Sequence, residues 1–224
     1  MPLIIILVEC GLELIPKEIR HHSAVKKNLS PEKYSSQLLD TALHHTAMRN
    51  IENPEKRGRP DIAHLCLLNA LGSPLNKTSN LNVFVHTVNN KIYEFNQEIR
   101  LARNYNRFKG LMAKVLIDGN IKVNGKQLIS QFEGKLQDLV NKFKNSEIFL
   151  CSSRGKLVNG YKDLFSEAIS KNIIVIIGGF QKNTFSDELL GLSENLISIS
   201  KYSLDAWVVV SKIINFYEMS HDII

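Results

Sequence analysis

Two uninterrupted apolar runs, Leu3–Val8 and Ile173–Ile177, constrain this chain more than any other feature of its sequence. A strand that is apolar at every position has no face to show to water, so both of its faces must be covered. Sheet edges are rarely so hydrophobic, which places 173–177 in the middle of a sheet. From residue 135 onward the chain alternates between strands and helices. Helix KLQDLVNKFK leads to strand EIFLCS, helix YKDLFSEAISK to strand IIVIIGG, and helix SDELLGLS to strand NLISIS and a last helix LDAWVVVSKIINFYE. This alternation predicts an α/β fold, with a mainly parallel sheet and helices on both faces.

A chain of 224 residues suits a single domain, 1–224. LNVFVHTV (81–88) and KIYEFN (91–96) flank Asn89-Asn90 and predict a β-hairpin, carried by an extension around 77–98. Upstream, Ser30 before Pro31 reads as a helix start, HHTAMRNI (44–51) as a short helix, and Asp61 after Pro60 as the cap of a helix that Gly72-Ser73-Pro74 stops. Residues 118–134 are rich in turn formers and show no clear period. In RLARNYNRFKG the spacing of Arg100, Arg103 and Arg107 predicts one face of a helix, with Phe108, Leu111, Met112 and Val115 as its apolar stripe. No acid occurs from Ile99 to Ile117. Such a stripe is built to meet a negative partner from outside, and the formal net charge of +6 agrees.

Several function classes drop out. Cys10, Cys66 and Cys151 stand far apart inside apolar runs, so no disulfide framework or zinc site is signalled. The pairs His21-His22 and His44-His45 lack a further acid or histidine to complete a metal site, and none is expected. The first apolar run is too short for a membrane span and has no basic segment before it, so no membrane association and a cytoplasmic protein are expected. A GxGxxG fingerprint and a P-loop are both missing, which argues against a dinucleotide-dependent oxidoreductase. What remains is a site at the carboxyl ends of the strands. Three loops there have unusual composition: Cys151–Gly155, Gly178–Asn183 and Ser198–Leu204. Small residues, paired glycines and apolar side chains suit an uncharged heteroaromatic ring. Separately, Arg59-Pro60-Asp61 sets an acid two residues from an arginine, close enough to hold the guanidinium by a bidentate pair.

KRGRPDIAHLCLLNALGSPLN (56–76), RLARNYNRFKGLM (100–112), IIGGFQKNTFSDELL (176–190) and ISISKYSLDAWVVVSKIINFYE (197–218) come in this order along the chain. Together they closely resemble the small-subunit rRNA pseudouridine methyltransferases of archaea and eukaryotes, the nucleolar essential protein family of the SPOUT superfamily. The compact length is similar to the archaeal type. The resemblance implies a C-terminal trefoil knot that holds S-adenosylmethionine, a homodimer with C-terminal helices in its interface, and methylation of N1 of a pseudouridine in small-subunit rRNA during ribosome biogenesis. It further implies a cofactor site at Gly178, Gly179, Asn183, Leu196, Ile197, Ser198, Ile199, Ser200, Lys201 and Leu204. Asn183 stands where the family commonly has glycine, and Gln181 where it often has proline. Arg59 and Asp61 match the catalytic pair, while Arg59, Arg100, Arg103 and Arg107 match the RNA-binding arginines. The alternative, from another class, is a non-catalytic rRNA-binding assembly factor.

Overall fold

The computed structural model describes residues 2–49, 51–165 and 171–223. Eight strands form one sheet: β1 (Leu3–Cys10), β2 (Leu81–Thr87), β3 (Ile92–Phe95), β4 (Asn120–Val123), β5 (Lys126–Phe132), β6 (Ser146–Leu157), β7 (Asn172–Gly178) and β8 (Leu196–Ser198). Their order across the sheet is β4-β5-β3-β2-β1-β7-β6-β8. Neighbours from β2 to β8 run parallel, and β3, β5 and β4 add an antiparallel wing. The fold is mixed α/β.

The apolar runs occupy the centre because their alternate residues fill two different cores. Leu3, Ile5 and Leu7 of β1, with Ile173, Val175 and Ile177 of β7, lie in one. Helices α3 (Pro60–Gly72), α5 (Tyr105–Asp118), α7 (Tyr161–Phe165) and α9 (Ala206–Ser220) cover that face. Ile4, Ile6 and Val8, with Ile174 and Ile176, lie in the other. There α6 (Leu136–Lys142) and α8 (Asp187–Leu190) close the face through Leu136, Leu139, Val140 and Leu189. Helices α1 (Ser23–Lys26) and α2 (Thr41–Met48) build a small third core from Val25, Ala47 and Met48, and α4 (Pro74–Lys77) follows α3 directly. Half of the expected helix YKDLFSEAISK, residues 166–170, lies outside the described residues. Among the described residues no helix is long and apolar enough to cross a membrane.

Four expectations change. The arginine segment is not one helix face: α5 starts at Tyr105, so Arg100 and Arg103 precede it and only Arg107 lies on its first turn. The cause is a competing bond, since the Ala102 carbonyl accepts from His64 Nε2 at 2.7 Å and Asn104 caps the helix through the Arg107 N–H. Asp61 does not cap α3. Arg59 is the capping residue, and Asp61 spends its carboxylate on that arginine. Ser30 starts no helix, because the Ser36 hydroxyl accepts the Ser30 N–H and donates to the Ser30 carbonyl, closing a loop instead. The 118–134 stretch holds a second hairpin, β4–β5, whose Asn124-Gly125 turn has φ of 50° and 78°. That pair of left-handed residues is the signature of a tight two-residue turn. The hairpin β2–β3 is present, with Asn90 left-handed in its connection.

Candidate active site

Parallel strands send their carboxyl ends to one edge, and three of these ends meet around a single cavity of about 240 Å³. Its walls come from Cys151–Arg154, which the structure places within the long strand β6 and not in a loop, from the end of β7 and the loop after it (Gly178, Phe180 to Phe185) and from β8 and the loop after it (Ile197–Ser200, Tyr202–Leu204), closed by Ala206 and Val209 of α9. Gly178 borders the cavity, and a Cβ there would lie 2.8 Å from the Phe180 ring. Gly179 turns the other way: its N–H donates to Val8 and a Cβ would fall 2.2 Å from Cys10 Sγ. Asn183, Ile197, Ser198, Ile199, Ser200 and Leu204 line the cavity, whereas Leu196 packs into the second core and Lys201 is an exposed neighbour. Burial pushes the Cys151 thiol up to about 12, so an uncharged thiol faces the site.

The second half of β6 crosses β8 at close range. A Cβ on Gly155 would lie 2.4 to 2.6 Å from the backbone of Ile197. Two separate parts of β6, at Cys151 and at Lys156, pair with that same residue of β8.

The polar pair follows four residues after Glu55, which accepts a hydrogen bond from Asn183 of the cavity wall. Arg59 Nε and Nη2 donate to Asp61 Oδ1 and Oδ2 at 2.8 and 2.6 Å. The Asp61 hydrogen bond raises the Arg59 guanidinium above its ordinary value and fixes its charge. Both residues keep part of their side chains in solvent, 23% and 37%. Arg57 makes the same kind of bidentate contact to Glu13, but Glu13 is only 2% exposed, which marks that pair as a structural pin. Breaking a buried pair of that kind costs about 3 to 5 kcal/mol.

Contacts on two sides hold the segment around the pair. On one side a Cβ on Gly11, just past the end of β1, would lie 2.9 Å from the Arg59 backbone nitrogen. On the other, His64, one turn along α3, holds the Ala102 carbonyl and stacks on Phe108 with ring centroids 4.2 Å apart. Burial lowers the His64 pKa, so the ring stays neutral and Nε2 carries the donated proton. Tyr105 and Lys109 of α5 both donate to the buried Asp40, at 3.1 and 2.8 Å. These bonds fix the 100–107 segment beside α3. Arg100, Arg103 and Arg107 are exposed, and no carboxylate among the described residues pairs with them.

The sequence model of the EMG1/NEP1 methyltransferase family matches residues 5–218. The chain belongs to that family. It is 38% identical to the ribosomal RNA small subunit methyltransferase Nep1 of Staphylothermus marinus, with 100% of this chain and 98% of that protein covered. Nep1 of Saccharolobus solfataricus is likewise 38% identical, with 95% of each chain covered. Among solved structures, Archaeoglobus fulgidus Nep1 bound to S-adenosylhomocysteine superposes with a TM-score of 0.85 at 36% identity, covering 99% of this chain and 100% of that one.

Within this EMG1/NEP1 chain, several cavity residues lie in the stretches that resemble the family but were not among the expected site residues. Phe180, Thr184, Phe185, Ala206 and Val209 enter the wall only because the β7 loop folds back and α9 begins there. The histidine pairs are dispersed: His21 and His45 are exposed, His22 caps α1 through the Ala24 N–H, and His44 is buried on Asp40. Among the described residues no group of three or more histidine, cysteine or acidic side chains is placed to hold a metal.

Proposed function

We propose that this chain is an S-adenosylmethionine-dependent methyltransferase of small-subunit rRNA, and that its acceptor is N1 of a pseudouridine. One observation carries the reading: Asn183, in the wall of the cavity at the carboxyl ends of the parallel strands, donates to Glu55, four residues before Arg59. The relative bound to S-adenosylhomocysteine supports it.

The residues present fit the cofactor. Ile177, Ile197, Ile199, Leu204 and Val209 offer apolar walls for an adenine ring, while Ser152, Ser198 and Ser200 offer hydroxyls. The missing Cβ of Gly178 leaves the cradle open on the β7 side. S-adenosylmethionine, when bound, supplies a methyl group already activated on a sulfonium, so the protein's task is positioning and charge placement. Arg59 meets the RNA with a guanidinium whose Nε and Nη2 are held by Asp61 and whose Nη1 remains for the uracil ring or a phosphate. Negative charge that develops on the ring as N1 reacts is stabilised there. With both oxygens engaged, Asp61 orients the arginine and the N1 proton passes to water. Arg100, Arg103 and Arg107 hold the sugar-phosphate of an RNA hairpin. Their contacts offset the few kcal/mol needed to unstack one base.

Two finer features belong to this reading. The trefoil knot is supported by the double pairing of β6 with Ile197. A homodimer through the C-terminal helices is the other; the groove between α3 and α9 that it would use is lined by Leu68 and Ile214 together with the polar Asn69, Ser73, Asn215 and Glu218. A cytoplasmic site of action and a part in ribosome biogenesis follow from the rRNA substrate.

Thermal melting tests the cofactor half. Saturating S-adenosylmethionine raises the Tm of the natural protein, by about 2.7 kcal/mol of stabilisation at a hundred times Kd. Gly178→Val, which forces Phe180 aside and fills the cradle, removes that shift. No shift in the natural protein contradicts the reading.

A further inference from the structure

Asn183 has φ of 136°, a backbone region that L side chains rarely adopt. Its side chain is doubly engaged, accepting the Thr184 N–H and donating Nδ2 to Glu55 Oε1, both at 2.7 Å. Glu55 belongs to the short helical turn Pro54–Lys56 that leads into Arg59. The next residue repeats the link, since Lys56 Nζ sits 4.9 Å above the Phe180 ring while pairing with Glu9 at 2.7 Å. The 55–59 segment thus touches the β7 loop twice.

Behind that segment there is no slack. Thr41 donates through both its N–H and its hydroxyl to the Gly58 carbonyl, at 2.8 and 2.7 Å. A Cβ on Gly58 would meet Met48 at 2.8 Å, and one on Gly11 would meet the Lys56 carbonyl at 3.0 Å. A shift of residues 180–183 therefore moves Arg59 instead of being absorbed behind it. Close packing of this kind transmits displacement.

We propose that Glu55 and Lys56 are positioning residues that couple the two halves of the site, so that occupancy of the cavity sets the Arg59–Asp61 pair for RNA. The proposal rests on the cofactor and RNA reading above. Coupling between two binding sites is reciprocal. A ligand in the cavity tightens RNA binding, and RNA tightens the ligand by the same factor, about tenfold for a coupling in the usual range.

The test measures the affinity of the full-length protein for a pseudouridine-bearing rRNA hairpin, with and without saturating S-adenosylhomocysteine. The natural protein shows the tenfold gain. Glu55→Ala, which removes the acceptor for Asn183, brings the factor to near one. Glu55→Gln keeps an acceptor oxygen and restores it. Lys56→Ala lowers the factor independently, and melting curves check that each variant is folded. An equal factor in the natural protein and Glu55→Ala overturns the proposal. A natural protein that binds both ligands without mutual effect also overturns it, while leaving the function intact. Failure of the natural protein to bind either ligand removes the function and the proposal together.

Discussion

Gly155→Ala abolishes S-adenosylmethionine binding and lowers the melting temperature. The added methyl would stand 2.4 Å from the Ile197 carbonyl carbon and 2.5 Å from its nitrogen. These are backbone atoms, so no change of rotamer relieves the overlap. One of the two strand arms has to separate, and Ile197 and Ser198, which line the cavity, go with it. Forced overpacking costs about 1 to 3 kcal/mol even where side chains can adjust, and this site belongs at the upper end. For a chain of this size about 3 kcal/mol corresponds to a fall of roughly 6 to 12 °C. Calorimetry with and without cofactor measures both effects. Gly160→Ala, with open space around its Cβ, is the control that leaves both values unchanged. A Gly155→Ala protein with unaltered melting and a full cofactor shift would mean that the crossing of β6 over β8 is not as described.

The second large effect concerns RNA. Arg100→Ala combined with Arg103→Ala weakens binding of an rRNA hairpin by about a hundredfold, as two charge-assisted contacts of about 1.5 kcal/mol each would. The slope of log K against log salt becomes shallower by about 1.4, from about 0.7 per phosphate contact in single-stranded RNA. The fold is spared, because both side chains are exposed and carry no ion pair among the described residues. The salt slope separates this outcome from a general weakening. An unchanged slope, or unchanged affinity, would remove these arginines from the RNA interface. The same variant also separates methyltransferase from assembly factor, since binding and methyl transfer then fall together in the enzyme.

The sheet was legible because its logic is one-dimensional. In Leu3–Val8 of β1 and Ile173–Ile177 of β7 every residue is apolar and successive side chains supply opposite cores, so composition alone marked both as buried and 173–177 as central. The carboxyl-end rule then located the cavity, because it depends only on strand direction. Which residue of a loop faces the cavity was not legible. Gly178 and Gly179 are neighbours, yet the missing Cβ of the second serves Cys10 and not the cavity. The start of α5 was hidden for a similar reason. Its arginine spacing is helical, but the Ala102 carbonyl is taken by His64, 38 residues away, and no local propensity contains that bond. Asn124-Gly125 carried the turn signal of the second hairpin, but β4 is only four residues long and KQLISQF of β5 does not alternate cleanly, so the strands themselves were not legible. Pairing of Arg59 with Asp61 followed from short spacing, whereas the tether from Glu55 to Asn183 spans 128 residues and exists only in the folded chain.

The central claim is that the cavity and the arginine segment serve one nucleotide. The most direct measurement incubates the protein with S-adenosylmethionine labelled on its methyl group and two rRNA hairpins that differ only in bearing pseudouridine or uridine at one loop position. Label entering the pseudouridine hairpin alone is the predicted result. A protein that binds both hairpins and the cofactor, yet labels neither RNA, would contradict it.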